Sequence, residues 1–260
     1  MTAPAPTPEL AAEMRGPVLW LTIQREERRN AMSHGVLAGL AQAITAAQTD
    51  RAVRAIVITG AGSKAFCAGA DLQNALAFTT DYSEPHGHLA QLLRVAKAST
   101  VPLVARVNGA CMAGGMGLLA MCDMAVAARH AVFGLPEVKV GVFPAQVLSV
   151  LQHLVPRRQL AEMCITGEPI SAADALAYGL VNYVDDDVDA KLQWLLDRLL
   201  DKSPAAIRRG LYTMKKIEAM AFEESMSFTE SQIALFTLTE DAKEGQAAFQ
   251  QKRKPEWKGQ

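Results

Sequence analysis

The feature that most constrains the fold is a glycine-rich break between an extended segment and a short helix. An apolar run, Val101 to Val107, leads to the pair Gly114-Gly115, and a short apolar run with helical character follows at Met116 to Met121. Glycine at such a turn lets the backbone approach another group closely. A helix that begins there points its unpaired N–H groups at whatever lies in front of it. We therefore expect this turn to bind an oxygen that carries partial negative charge.

One carboxylate follows this turn closely in the sequence, apart from Asp123, which closes the run. It belongs to Glu137, in a turn with the sequence Phe-Gly-Leu-Pro-Glu. Main-chain donors and a nearby carboxylate are the minimal set of groups for proton transfer beside a carbonyl. Each feature also has a plainer interpretation. Glu137 can be an ordinary surface carboxylate, and the glycine pair can be a tight packing point between a strand and a helix.

Composition argues against several classes of function. The chain has 260 residues and a net charge of −1, with no basic patch interleaved with aromatic residues, so we expect no nucleic-acid partner. No apolar run is long enough to span a bilayer, and the first residues lack the pattern of a secretory signal. We therefore expect a cytoplasmic protein without membrane contacts. The cysteines lack C-x-x-C spacing, which predicts buried free thiols and no metal site. They are Cys67, Cys111, Cys122 and Cys164.

Strand and helix patterns alternate through the first half of the chain. Strands are predicted at Pro17 to Gln24, Val53 to Thr59 and Val101 to Val107, with apolar residues on both faces. Ser33 is a suitable N-cap for a helix between the first two. This alternation predicts an α/β layered fold. From Ala145 onward the pattern is helical. We predict a flexible N-terminal arm at residues 1–16, a core at 17–200 and a C-terminal helical region at 201–260.

Four sequence blocks, in this order and at these separations, resemble the crotonase, or enoyl-CoA hydratase/isomerase, family. The blocks are Phe66 to Leu72 (F-C-A-G-A-D-L), Val107 to Asp123, Phe133 to Gly141 and Ile165 to Val181. The resemblance extends over about Val18 to Trp257. It implies a crotonase-like spiral of ββα units followed by a helical trimerisation region. It also implies a homotrimer, or a dimer of trimers.

The resemblance further implies a coenzyme A thioester as substrate and no separate cofactor. In this family the main-chain N–H groups at the positions of Ala70 and Gly114 form an oxyanion hole, and Glu137 occupies the position of a catalytic glutamate. The residues assigned by resemblance to substrate and coenzyme A binding are Ala68, Ala70, Asp71, Leu72, Gly114 and either Arg28 or Arg29, with Lys252 as a weaker candidate.

Two departures from the family pattern affect the expected reaction. The hydratases that name the family use a second glutamate, three residues after the oxyanion-hole glycine, where this chain has Gly117. The family motif P-G-x-G-G-T is replaced by F-P-A-Q-V-L-S at Phe143 to Ser149. Water addition by two carboxylates is therefore in doubt. The open alternatives are double-bond isomerisation, hydration by one glutamate as in relatives acting on hydroxycinnamoyl thioesters, and acyl-CoA binding without catalysis.

Overall fold

A computed structural model of the protein describes residues 8–71 and 83–260. Its strands form two sheets. The strands are β1 (Leu10–Arg15), β2 (Val18–Ile23), β3 (Ala55–Gly60), β4 (Ala65–Cys67), β5 (Leu103–Val107), β6 (Ala110–Met112), β7 (Met124–Ala128), β8 (Val132–Gly134), β9 (Ile170–Ser171) and β10 (Tyr183–Asp185). The helices are α1 (His34–Ala47), α2 (His88–Ala98), α3 (Gly114–Ala120), α4 (Ala145–Leu151), α5 (Arg157–Thr166), α6 (Ala172–Ala177), α7 (Val188–Leu200), α8 (Pro204–Ile217), α9 (Phe222–Thr237) and α10 (Glu240–Gln250). Short 3₁₀ helices lie at Glu26–Arg28 and Pro136–Val140.

The chain passes repeatedly from a large sheet to a small one. The large sheet has the order β1-β2-β3-β5-β7-β10 and the small sheet the order β4-β6-β8-β9. Successive strands of the large sheet, β3, β5 and β7, are each followed by a strand of the small sheet. The pairs β2–β3, β3–β5 and β5–β7 are parallel, as crossover connections through α1, α2 and α3 require. This is the predicted α/β architecture, wound as a spiral of ββα units.

Apolar side chains on both faces of the large sheet hold the layers together. All six residues of β3 are buried, which fits a strand covered on both sides. On one face α1 contributes Val36, Leu40 and Ile44, and its N-terminus is capped by the Ser33 hydroxyl, as predicted. On the other face α7 packs four leucines against the sheet; they are Leu192, Leu195, Leu196 and Leu199.

The prediction of a flexible arm at residues 1–16 is wrong for residues 10–15. These residues form β1, and each pairs with a residue of β2 in antiparallel register, from Leu10 with Ile23 to Arg15 with Val18. The prolines that suggested a loose segment are confined to the first eight residues, so every residue from Leu10 to Arg15 has a free N–H for the ladder. Leu10 is buried in the core and helps to fix this register.

The C-terminal helices leave much apolar surface exposed. Helix α8 contains no buried residue, and in α9 only Gln232 is buried. Helix α8 is joined to the α/β core through polar contacts, in which Arg208 donates to the carbonyl oxygens of Gln48 and Val53 and Lys215 pairs with Asp123. The Asp241 carboxylate is buried and ties the tail together through Ser203 and the main-chain N–H groups of Lys258 and Gly259. Within residues 8–71 and 83–260, no helix combines the length and apolar character needed to cross a bilayer.

Candidate active site

A sharp turn at Ala113 sets the direction of α3. Ala113 has φ 51° and ψ −126°, a combination that residues with a Cβ seldom adopt. Its N–H donates to the carbonyl oxygen of Gly134 at 2.8 Å, which connects the turn to the end of β8. Strained backbone of this kind is often associated with functional sites. The helix begins at the next residue, Gly114, where the sequence predicted a glycine turn that leads into a helix.

A second exposed donor arises where Ala70 pairs with Met32 in an isolated parallel bridge. The Met32 N–H donates to Gly69 O at 2.8 Å, and the Asp71 N–H donates to Met32 O at 3.1 Å. Met32 thus bonds to the two neighbours of Ala70, and in a parallel pair the residue between them directs its own N–H away from the partner strand. The Ala70 N–H therefore faces away from Met32. Gly69 has φ +97°, which glycine adopts without the penalty that a side chain would bring.

The two donor residues, Ala70 and Gly114, are close in space. A Cβ added to Gly114 would lie 3.8 Å from the Ala70 nitrogen, and one added to Gly69 would lie 3.2 Å from the Gly114 nitrogen. In the described part of the chain, neither N–H donates to a protein acceptor. Two adjacent, unused main-chain donors at a helix start can bind one oxygen that carries negative charge.

Glu137 has an unusual environment for a carboxylate. It lies in the 3₁₀ helix Pro136–Val140, three residues after the Gly134 carbonyl that binds Ala113. The side chain is half-buried, and its Oε2 atom is inaccessible to solvent yet has no hydrogen-bond partner in residues 8–71 and 83–260. Burial raises the pKa of Glu137 above its ordinary value, with a smaller opposing effect from its own main-chain N–H. A carboxylate with a raised pKa and a free buried oxygen is suited to accept and return a proton.

Cys164 of α5 is one neighbour of this carboxylate. Burial, and to a lesser extent the charge of Glu137, raises the pKa of the Cys164 thiol. The thiol therefore stays protonated near neutral pH and is a poor nucleophile. Cys164 is a buried free thiol, as the sequence predicted.

The two departures from the family pattern meet at one place. Gly117 lies three residues after Gly114, on the same face of α3. A Cβ on Gly117 would lie 2.8 Å from Val147 Cγ1 and 3.9 Å from Leu93 Cδ2. Val147 belongs to the stretch that replaces the glycine motif, where it forms part of α4 and is buried. This side of the site is therefore apolar.

The residues predicted to bind coenzyme A are only partly brought together. The Ala68 N–H donates to Arg29 O at 3.1 Å, which joins the segment before the oxyanion hole to the turn that carries Arg28. Asp71 accepts a hydrogen bond from Arg25. The Arg28 and Arg29 side chains are exposed and form no ion pair with any described residue.

Two other predicted positions receive no support from the geometry. Leu72 lies outside the described residues. Lys252 follows α10, and no contact joins it to the site within the part of the chain that the structure describes.

Sequence reasoning assigned no role to three residues that shape the site. They are Arg25, Met32 and Val147. Met32 holds the Ala70 segment through its main chain, and its Cε would lie 2.5 Å from a Cβ on Gly114. In the sequence, Arg25 begins a charged run that ends at Asn30, and Val147 belongs to the stretch that lacks the family's glycines. Each acts through tertiary contacts, for which the local sequence gives no signal.

Comparisons with known proteins agree over nearly the whole chain. The sequence profile of a family described as enoyl-CoA hydratase/isomerase matches residues 13–260. The 2,3-dehydroadipyl-CoA hydratase of Escherichia coli is 34% identical over 259 residues, which span 96% of this chain and 99% of that protein. Crotonyl-CoA hydratase of Syntrophomonas wolfei is 32% identical, over 90% of this chain and 92% of that protein. The crystal structure of an enoyl-CoA hydratase from Mycobacterium smegmatis superposes with a TM-score of 0.91 at 33% identity, covering 96% of this chain and 99% of that one.

Proposed function

The chain belongs to the enoyl-CoA hydratase/isomerase family, and from that premise we propose that it moves a proton beside the carbonyl of an acyl-CoA thioester. The N–H groups of Ala70 and Gly114 bind the thioester oxygen, and Glu137 transfers the proton. This chemistry requires neither a metal nor a redox cofactor, since every step is a proton transfer or an addition to a polarised double bond.

One observation supports this proposal most strongly: the Oε2 atom of Glu137 is buried and has no hydrogen-bond partner among the described residues. A purely structural carboxylate would be expected to pair its buried oxygen, because an unsatisfied buried acceptor costs about 1–3 kcal/mol. Burial also raises the pKa of Glu137 and brings it closer to the range useful for acid–base catalysis at neutral pH. The plainer interpretation, a surface carboxylate on a turn, does not account for either feature.

The oxyanion hole supplies the electrostatic part of the mechanism. When a proton leaves or joins the carbon next to the carbonyl, negative charge develops on the thioester oxygen. Two fixed N–H groups stabilise that charge without reorganising, and removal of one such donor typically costs about 2.7–4 kcal/mol of transition-state stabilisation. In hydration, Glu137 takes a proton from water while the water oxygen bonds to the β-carbon and the C=C π bond breaks; Glu137 then gives that proton to the α-carbon. In isomerisation, Glu137 removes a proton from one carbon and returns it to another.

Different observations favour the two reactions. Two relatives with about a third of their residues identical, from Escherichia coli and Syntrophomonas wolfei, are named hydratases, which favours hydration. The contact between Gly117 and Val147 leaves an apolar surface where the second glutamate of the family's hydratases is expected, which favours one-carboxylate chemistry. We therefore propose hydration or isomerisation with Glu137 as the one acid–base group.

A second candidate from a different class is an acyl-CoA-binding protein with impaired catalysis. Gly117 favours it, because glycine cannot transfer a proton. It predicts tight binding of enoyl thioesters with no turnover. The state of Glu137 argues against it, because a binding protein has no need of a buried carboxylate without a partner.

Product analysis in ¹⁸O-labelled water distinguishes these possibilities. The enzyme is incubated with a panel of 2-enoyl and 3-enoyl thioesters that includes aromatic acyl groups, and the products are examined by mass spectrometry. Label in a 3-hydroxyacyl product supports hydration, and a displaced double bond without label supports isomerisation. Tight binding of the whole panel without conversion would support the binding protein and contradict the proposed enzyme.

We also propose that the protein assembles as a homotrimer, or as two paired trimers. The support is the apolar surface of the C-terminal helices, where Phe222, Leu238 and Phe249 have exposed fractions of 72%, 69% and 86%. Large apolar side chains exposed together usually mark an interface. An all-helical tail that buries so little of itself requires another surface to cover it.

A further inference from the structure

We propose that Arg25 is a positioning residue for the oxyanion hole, acting through Asp71 and the main chain beside Ala70. The inference rests on the proposed function, because it assumes that the Ala70 N–H binds a thioester oxygen. It assigns a role to a residue for which the sequence motifs gave none.

The Arg25 guanidinium makes three contacts with separate parts of the chain. Its Nη2 donates to Asp71 Oδ2 at 2.7 Å, and its Nη1 donates to Ala31 O at 2.6 Å. Its Nε lies 2.9 Å from Glu9 Oε1. The exposed fraction of the side chain is 11% for Arg25 and 16% for Asp71, so solvent screens this pair weakly.

These contacts hold both sides of the bridge that orients Ala70. Ala31 precedes Met32, and Asp71 follows Ala70, so the guanidinium joins the two paired segments at neighbouring residues. A guanidinium is planar and presents its donors in a fixed arrangement, which a more flexible amine cannot reproduce. A displacement of even 1 Å in a catalytic group can cost about 100-fold in rate. Arg25 therefore fixes the direction of the Ala70 N–H.

Arg25 also offsets a charge that would oppose the reaction. Asp71 follows Ala70 directly in the chain, so negative charge on its carboxylate would act on the oxyanion that the Ala70 N–H binds. A like charge in a poorly screened site raises the energy of that oxyanion. The positive charge of Arg25, 2.7 Å from Asp71 and 2.9 Å from Glu9, offsets part of this effect. The loss of Arg25 should therefore harm the chemical step more than substrate binding.

Glu9 extends the same network to the N-terminal segment. Its Oε1 pairs with Arg25, and its Oε2 accepts a hydrogen bond from the Ser33 hydroxyl at 2.5 Å. The same hydroxyl accepts the Val36 N–H and caps α1. Glu9, the residue before β1, is thus joined through Arg25 to Asp71, the residue that follows Ala70.

A double-mutant cycle separates the charge effect from simple loss of packing. The four proteins are the wild type, Arg25→Met, Asp71→Asn and the double variant, assayed for kcat and KM with a thioester that the wild type turns over. We expect Arg25→Met to lower kcat by about 10- to 100-fold, with a smaller change in KM. In the Asp71→Asn background the same change should cost less than about threefold, since the charge that Arg25 offsets is then already absent. Equal costs in both backgrounds would overturn the proposal.

A spectroscopic readout keeps this test separate from the proposed reaction. A conjugated dienoyl-CoA absorbs at longer wavelength when its carbonyl is polarised, whether or not the protein turns it over. We expect the wild type to shift this band, Arg25→Met to shift it less and the double variant to recover most of the shift. If the wild type shifts the band without turning the thioester over, the proposed enzyme activity is contradicted. The role of Arg25 is then still tested by comparing the band shift of Arg25→Met with that of the wild type. A full shift in Arg25→Met would contradict the role of Arg25 alone.

Two further variants guard against misfolding. Arg25→Lys keeps the charge but loses the planar fork, so we expect a loss of kcat between those of the wild type and Arg25→Met. If Arg25→Met does not fold, the test uses Arg25→Lys and Glu9→Gln as two single variants. A wild-type kcat in both of them would overturn the proposal. The matched control is Arg129→Met, which removes an arginine paired with Asp186 on the surface and should leave kcat unchanged.

Discussion

Val147 occupies the space into which a side chain at position 117 would project. A Cβ on Gly117 would lie 2.8 Å from Val147 Cγ1, closer than two carbon atoms in contact can approach. The two departures from the family pattern are therefore one structural feature, in which each residue depends on the other. The local sequence shows each departure but not their contact, because the two residues are 30 positions apart on different helices.

The first prediction concerns Gly117→Glu. Alone, this substitution should destabilise the protein by about 1–3 kcal/mol through overpacking against Val147, and it should not increase hydration of a short 2-enoyl thioester. Combined with Val147→Gly it should be tolerated and should raise hydration above that of either single variant, since the carboxylate then has room beside the site. Thermal unfolding and ¹⁸O incorporation measure the two effects.

Gly117→Gln with Val147→Gly is the matched control for that pair. It has the same side-chain volume but no carboxylate, so it should fold equally well without the gain in hydration. If Gly117→Glu alone is as stable and as active as the double variant, Val147 does not restrict the site.

The second prediction is that Glu137→Gln lowers kcat by about 10²- to 10⁴-fold, the usual contribution of a general acid or base. Because burial raises the pKa of Glu137, the rising limb of the wild-type pH profile of kcat/KM should lie above the ordinary value of 4.5. The residual activity of the variant should lack that limb. Glu168→Gln, at an exposed carboxylate paired with Lys139, is the control and should retain wild-type rates. Wild-type turnover by Glu137→Gln would remove the catalytic assignment.

Much of the architecture was predictable because it depends on local patterns. The segments with apolar residues on both faces gave β2, β3 and β5, and the Ser33 cap was found where predicted. The glycine turn predicted the start of α3 near Gly114 for the same reason, since a helix start after glycine is a short-range property. The flexible arm was a wrong prediction, because the pairing of β1 depends on β2 rather than on its own composition.

The site was predictable only where a single residue carries its own signal. Glu137 and Gly114 stand in recognisable turns. Among residues 8–71 and 83–260, a carboxylate oxygen of Glu137 has no partner and the N–H of Gly114 has no acceptor. Arg25 gave no such signal, because its role comes from Asp71, which is 46 residues away. The positive φ of Ala113 was also hidden, since alanine is not a residue from which such a conformation is expected.

The third prediction is that Glu137→Gln stabilises the fold at neutral pH. The folded-state pKa of Glu137 is raised, so below about pH 4.5 the carboxyl is neutral in both states and carries no penalty. As pH rises, the unfolded state loses this proton first, and the wild type loses stability until the pH passes the folded pKa. The Tm of the variant should therefore exceed that of the wild type at pH 8, and the difference should shrink towards pH 4. A difference independent of pH would contradict the burial of this charge.

The fourth prediction tests the close approach of the two oxyanion-hole segments. Gly69→Ala places a Cβ 2.7 Å from the Ala113 Cβ at φ +97°, so strain and contact should together destabilise the fold by about 2–4 kcal/mol. Activity should fall as well, because relief of the contact would separate the Ala70 and Gly114 donors. Gly210→Ala is the matched control, since its Cβ meets nothing within 4 Å and helix propensity favours alanine by about 1 kcal/mol. Denaturant unfolding compares the two, and equal stability would contradict this geometry.

The fifth prediction concerns assembly through the C-terminal helices. Phe249 has an exposed fraction of 86% and lies beside Trp257 and Phe236 in an apolar groove of the tail. If this surface is an interface between copies of the chain, Phe249→Asp places a charge in it and should weaken association by at least about 2 kcal/mol, or some 30-fold in the dissociation constant. Sedimentation velocity should then show a smaller species than the wild type at equal concentration. Met14→Asp on the edge strand β1 is the control and should leave the mass unchanged. A wild type that sediments as a monomer at every concentration would contradict the proposed trimer, because the apolar tail would then have no second copy covering it.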